Sequence, residues 1–154
     1  MGALTYRLGM SIQERGQKIL QGFSGLSTWE EKYRRIIELG KSLAPLASEF
    51  HTDDLRVKGC QSQVWLHASQ NDLGQVIFAG DCDALIVKGL VAMLIEFYSG
   101  SSPDEILQTP PQFIEELGLS GNLSPSRANG LFAMVKQIRY YAAAFKALQG
   151  LKRT

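Results

Sequence analysis

The sequence predicts an α+β fold in which helices pack on one small antiparallel sheet, as a single domain. Three observations predict it. Val64, Leu66 and Ala68 alternate with Trp65, His67 and Ser69, and after Asn71-Asp72-Leu73-Gly74 the run Gln75-Val76-Ile77-Phe78-Ala79 has strand character again, which together read as a β-hairpin. Residues 84–99 are apolar almost all round, the pattern of a core helix. Leu131, Met134, Val135, Ile138, Tyr141, Phe145 and Leu148 recur at three- and four-residue steps and define one buried helical stripe.

The elements follow in order. Residues 1–22 form an N-terminal extension with Gly2, Gly9 and Gly16 breaking a weak apolar pattern, which predicts only a loosely docked helix. Thr28 with Glu31 makes a capping box, and Trp29, Tyr33, Ile36, Ile37 and Leu43 follow at helical spacing, predicting a helix from Trp29 to about Leu43 that Pro45 ends. Residues 46–59 lack periodicity and lead as an irregular segment into Cys60 and the hairpin. Asp81 and Asp83 precede the apolar helix as N-capping candidates, and Gly100 closes it. Ser102-Pro103-Asp104-Glu105 is a second capping box, Pro110 to Leu117 a further short helix, and Ser124-Pro125 the start of the last one. A core domain over 23–150 follows, with no linker or internal repeat inside it.

Composition narrows the function. The 154 residues are long enough for one hydrophobic core. Sixteen basic residues face fifteen acidic ones, a net charge of +1 that leaves no electrostatic footprint for nucleic acid. The longest apolar run, Gly89 to Ile95, is far too short to span a bilayer, and no signal-peptide pattern opens the chain, so a cytoplasmic location and no membrane partner are expected. Two cysteines make no disulfide framework, and in a reducing compartment both are expected as thiols.

Cys60 stands at the junction of a loop and a strand, where the strand fixes a side chain and the loop gives access. Gly59 permits positive φ, Arg56 and Lys58 could favour the thiolate, and Gln61, Ser62 and Gln63 could donate hydrogen bonds to a sulfur anion. The competing reading is a small buried hydrophobe. His51 and His67 are poorly spaced to serve Cys60 as a base, and His51, Cys60, His67 and Cys82 lack the short paired spacings of a metal site. Arg127 lies near the start of the last helix, where the helix dipole disfavours a cation; it reads either as solvated surface or as a holder of a carboxylate or sulfur anion.

The segments Trp29-Glu30-Glu31-Lys32-Tyr33, Ile36-Ile37-Glu38-Leu39-Gly40, Val57-Lys58-Gly59-Cys60-Gln61-Ser62-Gln63-Val64-Trp65, Gly80-Asp81, Asp83-Ala84, Ile86-Val87-Lys88-Gly89-Leu90, Leu123-Ser124-Pro125-Ser126-Arg127 and Gly130-Leu131 occur in the order and spacing of the SufE family, which includes CsdE. The chain resembles that family over roughly Phe23 to Ala147. The resemblance implies a fold like that of the IscU cluster scaffolds, with the cysteine loop tucked against an apolar cavity. It implies that Cys60 accepts sulfur as a persulfide from a SufS-like cysteine desulfurase and delivers it for iron–sulfur cluster assembly, with a SufBCD-like scaffold as recipient. Gly59, Gln61, Asp83 and Arg127 become supporting residues, the last two through loop packing and desulfurase interaction. No cofactor is expected on this chain, since pyridoxal phosphate belongs to the desulfurase, and no independent turnover; a homodimer is left open.

Two departures stand out: the longer N-terminal stretch, and Cys82 where the family usually has serine. Cys82 keeps an alternative alive, a two-cysteine thiol redox protein using Cys60 and Cys82, against the reading of an inert core thiol. A metal or cluster scaffold ranks third.

Overall fold

The computed structural model of the protein describes residues 9–152. The hairpin is formed by β1 (Val64–Gln70) and β2 (Val76–Cys82), paired antiparallel from Val64↔Cys82 to Gln70↔Val76. Its turn is held by Asn71, whose Oδ1 accepts from the backbone N–H of Leu73 and of Gln75, both at 3.0 Å. The pleat sends Val64 and Leu66 of β1, and Val76, Phe78, Gly80 and Cys82 of β2, to the buried face. β2 therefore runs three residues beyond the expected Ala79, because Gly80 and Cys82 continue the inward alternation. At Gly80 a Cβ would lie 2.8 Å from the Trp65 carbonyl oxygen and 3.0 Å from Val91, so strand and helix meet there at a distance only glycine allows.

Seven α-helices surround the hairpin among the described residues: α1 (Ile12–Gln21), α2 (Trp29–Lys41), α3 (Leu85–Tyr98), α4 (Pro103–Gln108), α5 (Phe113–Glu116), α6 (Leu119–Asn122) and α7 (Pro125–Lys152). The expected α+β class is what the molecule has. α3 is the core helix: Val87 and the run from Gly89 to Ile95, with Phe97 and Tyr98, are buried under β2 and against α2. Where α2 crosses α3, a Cβ on Gly89 would lie 2.1 Å from the carbonyl oxygen of Ile36, and one on Gly40 would lie 2.8 Å from the Gly89 nitrogen. The two backbones touch.

Three expectations need correction. The helix of the N-terminal stretch is firmly docked: Ser11 and Glu14 form a reciprocal capping box, Ile12 and Ile19 are core residues, and Arg15 is only 1% exposed. Its guanidinium donates to the Phe97 carbonyl at 2.9 Å, the Met10 carbonyl at 3.1 Å and the Ser101 hydroxyl, and that buried polar anchor is invisible to an apolar-periodicity count. The residues before Gly9 lie outside the described part. Secondly, α3 has no side-chain N-cap; Ala84 holds that position, while Asp81 sits within β2 and Asp83 turns toward the Cys60 loop. Thirdly, the stripe of α7 is Leu131, Met134, Ile138 and Ala142, with Val135, Tyr141 and Phe145 half-buried and Leu148 52% exposed, because the 28-residue helix outruns the core it covers. No described helix is long and apolar enough to cross a membrane.

The irregular segment before the hairpin contains two short 3₁₀ turns, Ser48–Phe50 and Asp53–Leu55, and folds over the outer face of β1. Phe50 stacks on His67 with ring centroids 4.1 Å apart, and His51 meets Trp65 edge-on at 4.7 Å. His51 Nε2 lies 2.8 Å from Asp81 Oδ2, whose other oxygen is 3.3 Å from Lys88 Nζ. This clasp fixes the chain just upstream of Cys60.

Candidate functional site

The Val57 N–H donates to the Val64 carbonyl at 2.8 Å, which closes residues 58–63 into a loop at the open end of the hairpin, with Cys60 within it. Gly59 has φ +93°, a left-handed conformation that turns the chain so that the Cys60 side chain faces α7. There Cys60 Sγ donates to the Gly130 carbonyl at 3.5 Å. The thiol is half-buried and free, and burial raises its pKa above the ordinary thiol value.

Arg56 and Lys58 do not offset that rise, since desolvation alone shifts Cys60; the Lys58 ammonium reaches instead toward the Asp53 carbonyl at 3.4 Å. Nor do Gln61 and Gln63 bond the sulfur. Gln61 Oε1 accepts from the Ser126 hydroxyl at 2.9 Å, tying the loop to the first turn of α7. The Gln63 N–H donates to Asp83 Oδ1 at 3.0 Å while the Asp83 N–H donates to the Gln63 carbonyl at 3.2 Å. Polar residues around Cys60 thus hold the loop and leave the sulfur with one weak acceptor.

Of the expected supporting residues, Gly59, Gln61 and Asp83 converge on the loop. Arg127 is brought near it but points to solvent, at the rim of an open groove lined by Ile37, Gln61, Ser62, Leu85 and Ile86. Leu85 is 62% exposed, so this rim combines an apolar side chain with a cation beside the thiol loop. The histidines are committed to the clasp, His51 to Asp81 and Trp65, His67 to Phe50. Among the described residues no cluster of three or more His, Cys, Asp or Glu side chains is arranged to hold a metal ion.

Cys82 is buried at the end of β2 and its thiol is pushed up to about 11, mainly by burial, with the neighbouring Asp83 and Cys60 adding to the rise. Both thiols are free. The Ala84 N–H points at Cys82 Sγ at 3.4 Å, just ahead of the first turn of α3.

Two contributors were not singled out from the sequence. Ser126 anchors Gln61, and Gly130 supplies the surface on which Cys60 rests. Gly130 did leave a signal, because a glycine inside a long helix is destabilising and asks for a local reason.

A family model described as SufE, Fe-S metabolism associated domain, matches residues 17–142. Among solved structures, the chain is similar to the solution structure of a hypothetical protein from Thermus thermophilus. The two are 24% identical, with 86% of this chain and 96% of that chain covered and a TM-score of 0.70.

Proposed function

The chain belongs to the SufE family of Fe-S metabolism associated domains, and on that premise we propose that it is a sulfur carrier: Cys60 accepts sulfane sulfur from a cysteine desulfurase and passes it on for cluster assembly. The observation that carries this reading is the setting of Cys60, a free half-buried thiol on a short loop fixed by a handful of polar bonds. In the transfer, the Cys60 thiolate attacks the outer sulfur of the desulfurase persulfide. A bond forms from Cys60 Sγ to that sulfur, the desulfurase's own S–S bond breaks, and the desulfurase cysteine leaves as thiolate. This chain needs neither a base dyad nor a cofactor for that step, because the desulfurase's pyridoxal phosphate does the carbon–sulfur chemistry.

Burial keeps the resting thiol protonated and hence a poor nucleophile. A partner that lifts residues 58–63 off α7 returns the sulfur to water and lowers its pKa, so docking and activation are the same motion. The groove rim with Leu85 and Arg127 lies beside this loop and is the surface we assign to the desulfurase. Delivery to a SufBCD-like scaffold reuses the exposed loop.

The test is intact mass after incubation with a desulfurase and cysteine. A reductant-removable gain of one sulfur on the wild type, absent from folded Cys60→Ser, is expected. A loaded Cys60→Ser protein would overturn the assignment.

A further inference from the structure

Gly130 touches Cys60 in two ways: its carbonyl accepts the S–H at 3.5 Å, and its bare Cα faces the sulfur. A Cβ built on Gly130 would lie 3.5 Å from Cys60 Sγ and 4.0 Å from Cys60 Cβ, with no third atom from elsewhere in the fold within 4 Å. That distance is ordinary van der Waals contact, so an alanine fits beside the unloaded thiol. Avoiding a clash with Cys60 is thus no reason for the glycine. Yet Gly130 is buried in the second turn of α7, where alanine would favour the helix. What the glycine leaves is a methyl-sized space bordered, apart from α7 itself, by Cys60.

We propose that Gly130 is a positioning residue for the loaded carrier, its missing side chain providing the space for the outer sulfur of the Cys60 persulfide. The inference rests on the sulfur-carrier reading. An S–S bond is about 2.05 Å long and a Cβ on residue 130 would lie 3.5 Å from Cys60 Sγ, so an outer sulfur directed from Sγ toward residue 130 reaches into the volume that this Cβ would fill. The Gly130 carbonyl orients Sγ, and the left-handed Gly59 sets the approach of the loop to α7, where a Cβ on Gly59 would meet Ala133 at 3.5 Å. With glycine at 130 the loop can close over the persulfide; with alanine it closes only over the thiol.

The experiment compares wild type with Gly130→Ala in three measurements: melting temperature, alkylation rate of unloaded Cys60, and the rate at which a small thiol reductant strips the sulfur after loading by a desulfurase and cysteine. The variant is expected to melt no lower than wild type and to alkylate at the wild-type rate. Its persulfide is expected to be stripped about fourfold faster, the scale of excluding one methylene-sized group from a buried site. Failure of the variant to load, with alkylation unchanged, is the stronger form of the same result. Stripping at the wild-type rate overturns the role of Gly130 and leaves the carrier reading standing. Faster alkylation of the unloaded variant also overturns it, since Gly130 would then seat the loop rather than the sulfur. A wild-type protein that takes up no sulfur overturns both.

Discussion

Gln63 and Asp83 exchange two hydrogen bonds across the mouth of the hairpin, one through the Asp83 carboxylate and one through its backbone N–H. Beyond the last strand pair, Val64↔Cys82, this pair of bonds holds the downstream side of the Cys60 loop.

Asp83→Ala removes the carboxylate half of that exchange. Because the pair is exposed, the expected stability loss is under about 1 kcal/mol, and faster alkylation of Cys60 is the main effect. Hydrogen exchange at the first turn of α3 should stay unchanged. Fraying there with unaltered Cys60 reactivity would restore Asp83 as the helix cap.

For Cys82, buried and with its thiol pushed up to about 11, the expectation is near-silence at about pH 8. Cys82→Ser should retain most sulfur acceptance, and an alkylation pH profile should show Cys60 reacting first with a rate that climbs into the alkaline range. Both thiols fold as protonated groups, so the stability linked to them is complete below the ordinary thiol range and is lost as pH rises through their raised values. A loss of acceptance in Cys82→Ser comparable to that of Cys60→Ser would revive the two-cysteine redox mechanism.

Arg127→Ala should weaken desulfurase binding and sulfur transfer without lowering the melting temperature, since the exposed guanidinium contributes little to folding. At an interface the same group can pair bidentately with a carboxylate, and truncation then costs binding. Lys136→Ala, on the exposed side of α7, is the control. Equal behaviour of the two variants in titration and transfer assays would make Arg127 ordinary surface.

Arg15→Met should destabilise the protein by about 2–4 kcal/mol, because three acceptors lose a charged donor and the methionine satisfies none of them. Denaturant titration reads this directly. The folded fraction should still accept sulfur at the wild-type level, as Arg15 anchors α1 to the far end of α3 and is remote in the fold from the thiol loop.

The hairpin, the core helix, the capping box at Ser102 and the N-cap at Thr28 were legible because each writes a local rule into adjacent residues. The expected box at Thr28 does not close: its hydroxyl accepts the Glu31 N–H and donates to the Glu31 carboxylate, which leaves the Thr28 backbone N–H outside the exchange. Asp83 was misread because a carboxylate before an apolar helix resembles a cap, and only the partner 20 residues upstream reveals its use. Arg15 escaped for a similar reason, since its buried acceptors at Phe97 and Ser101 lie 82 and 86 residues away in the chain. At the site, Cys60 and Gly59 stood out from their own residue types. The seat at Gly130 and the tether at Ser126 required knowing that α7 passes over the loop, 65 to 70 residues later in sequence.

The contact between Gly40 and Gly89 bears on how the molecule can evolve and move. With backbone against backbone, neither position admits even a methyl group, so the crossing of α2 and α3 has no slack in which to slide. The two helices behave as one body, and Leu85 at the rim is carried on it. Any travel of Cys60 toward a partner must therefore be taken up between Val57 and Val64, a span of single-chain length whose two ends are already bonded together. The stroke of the carrier is limited to the reach of that small loop, which places on the partner the requirement to come within it.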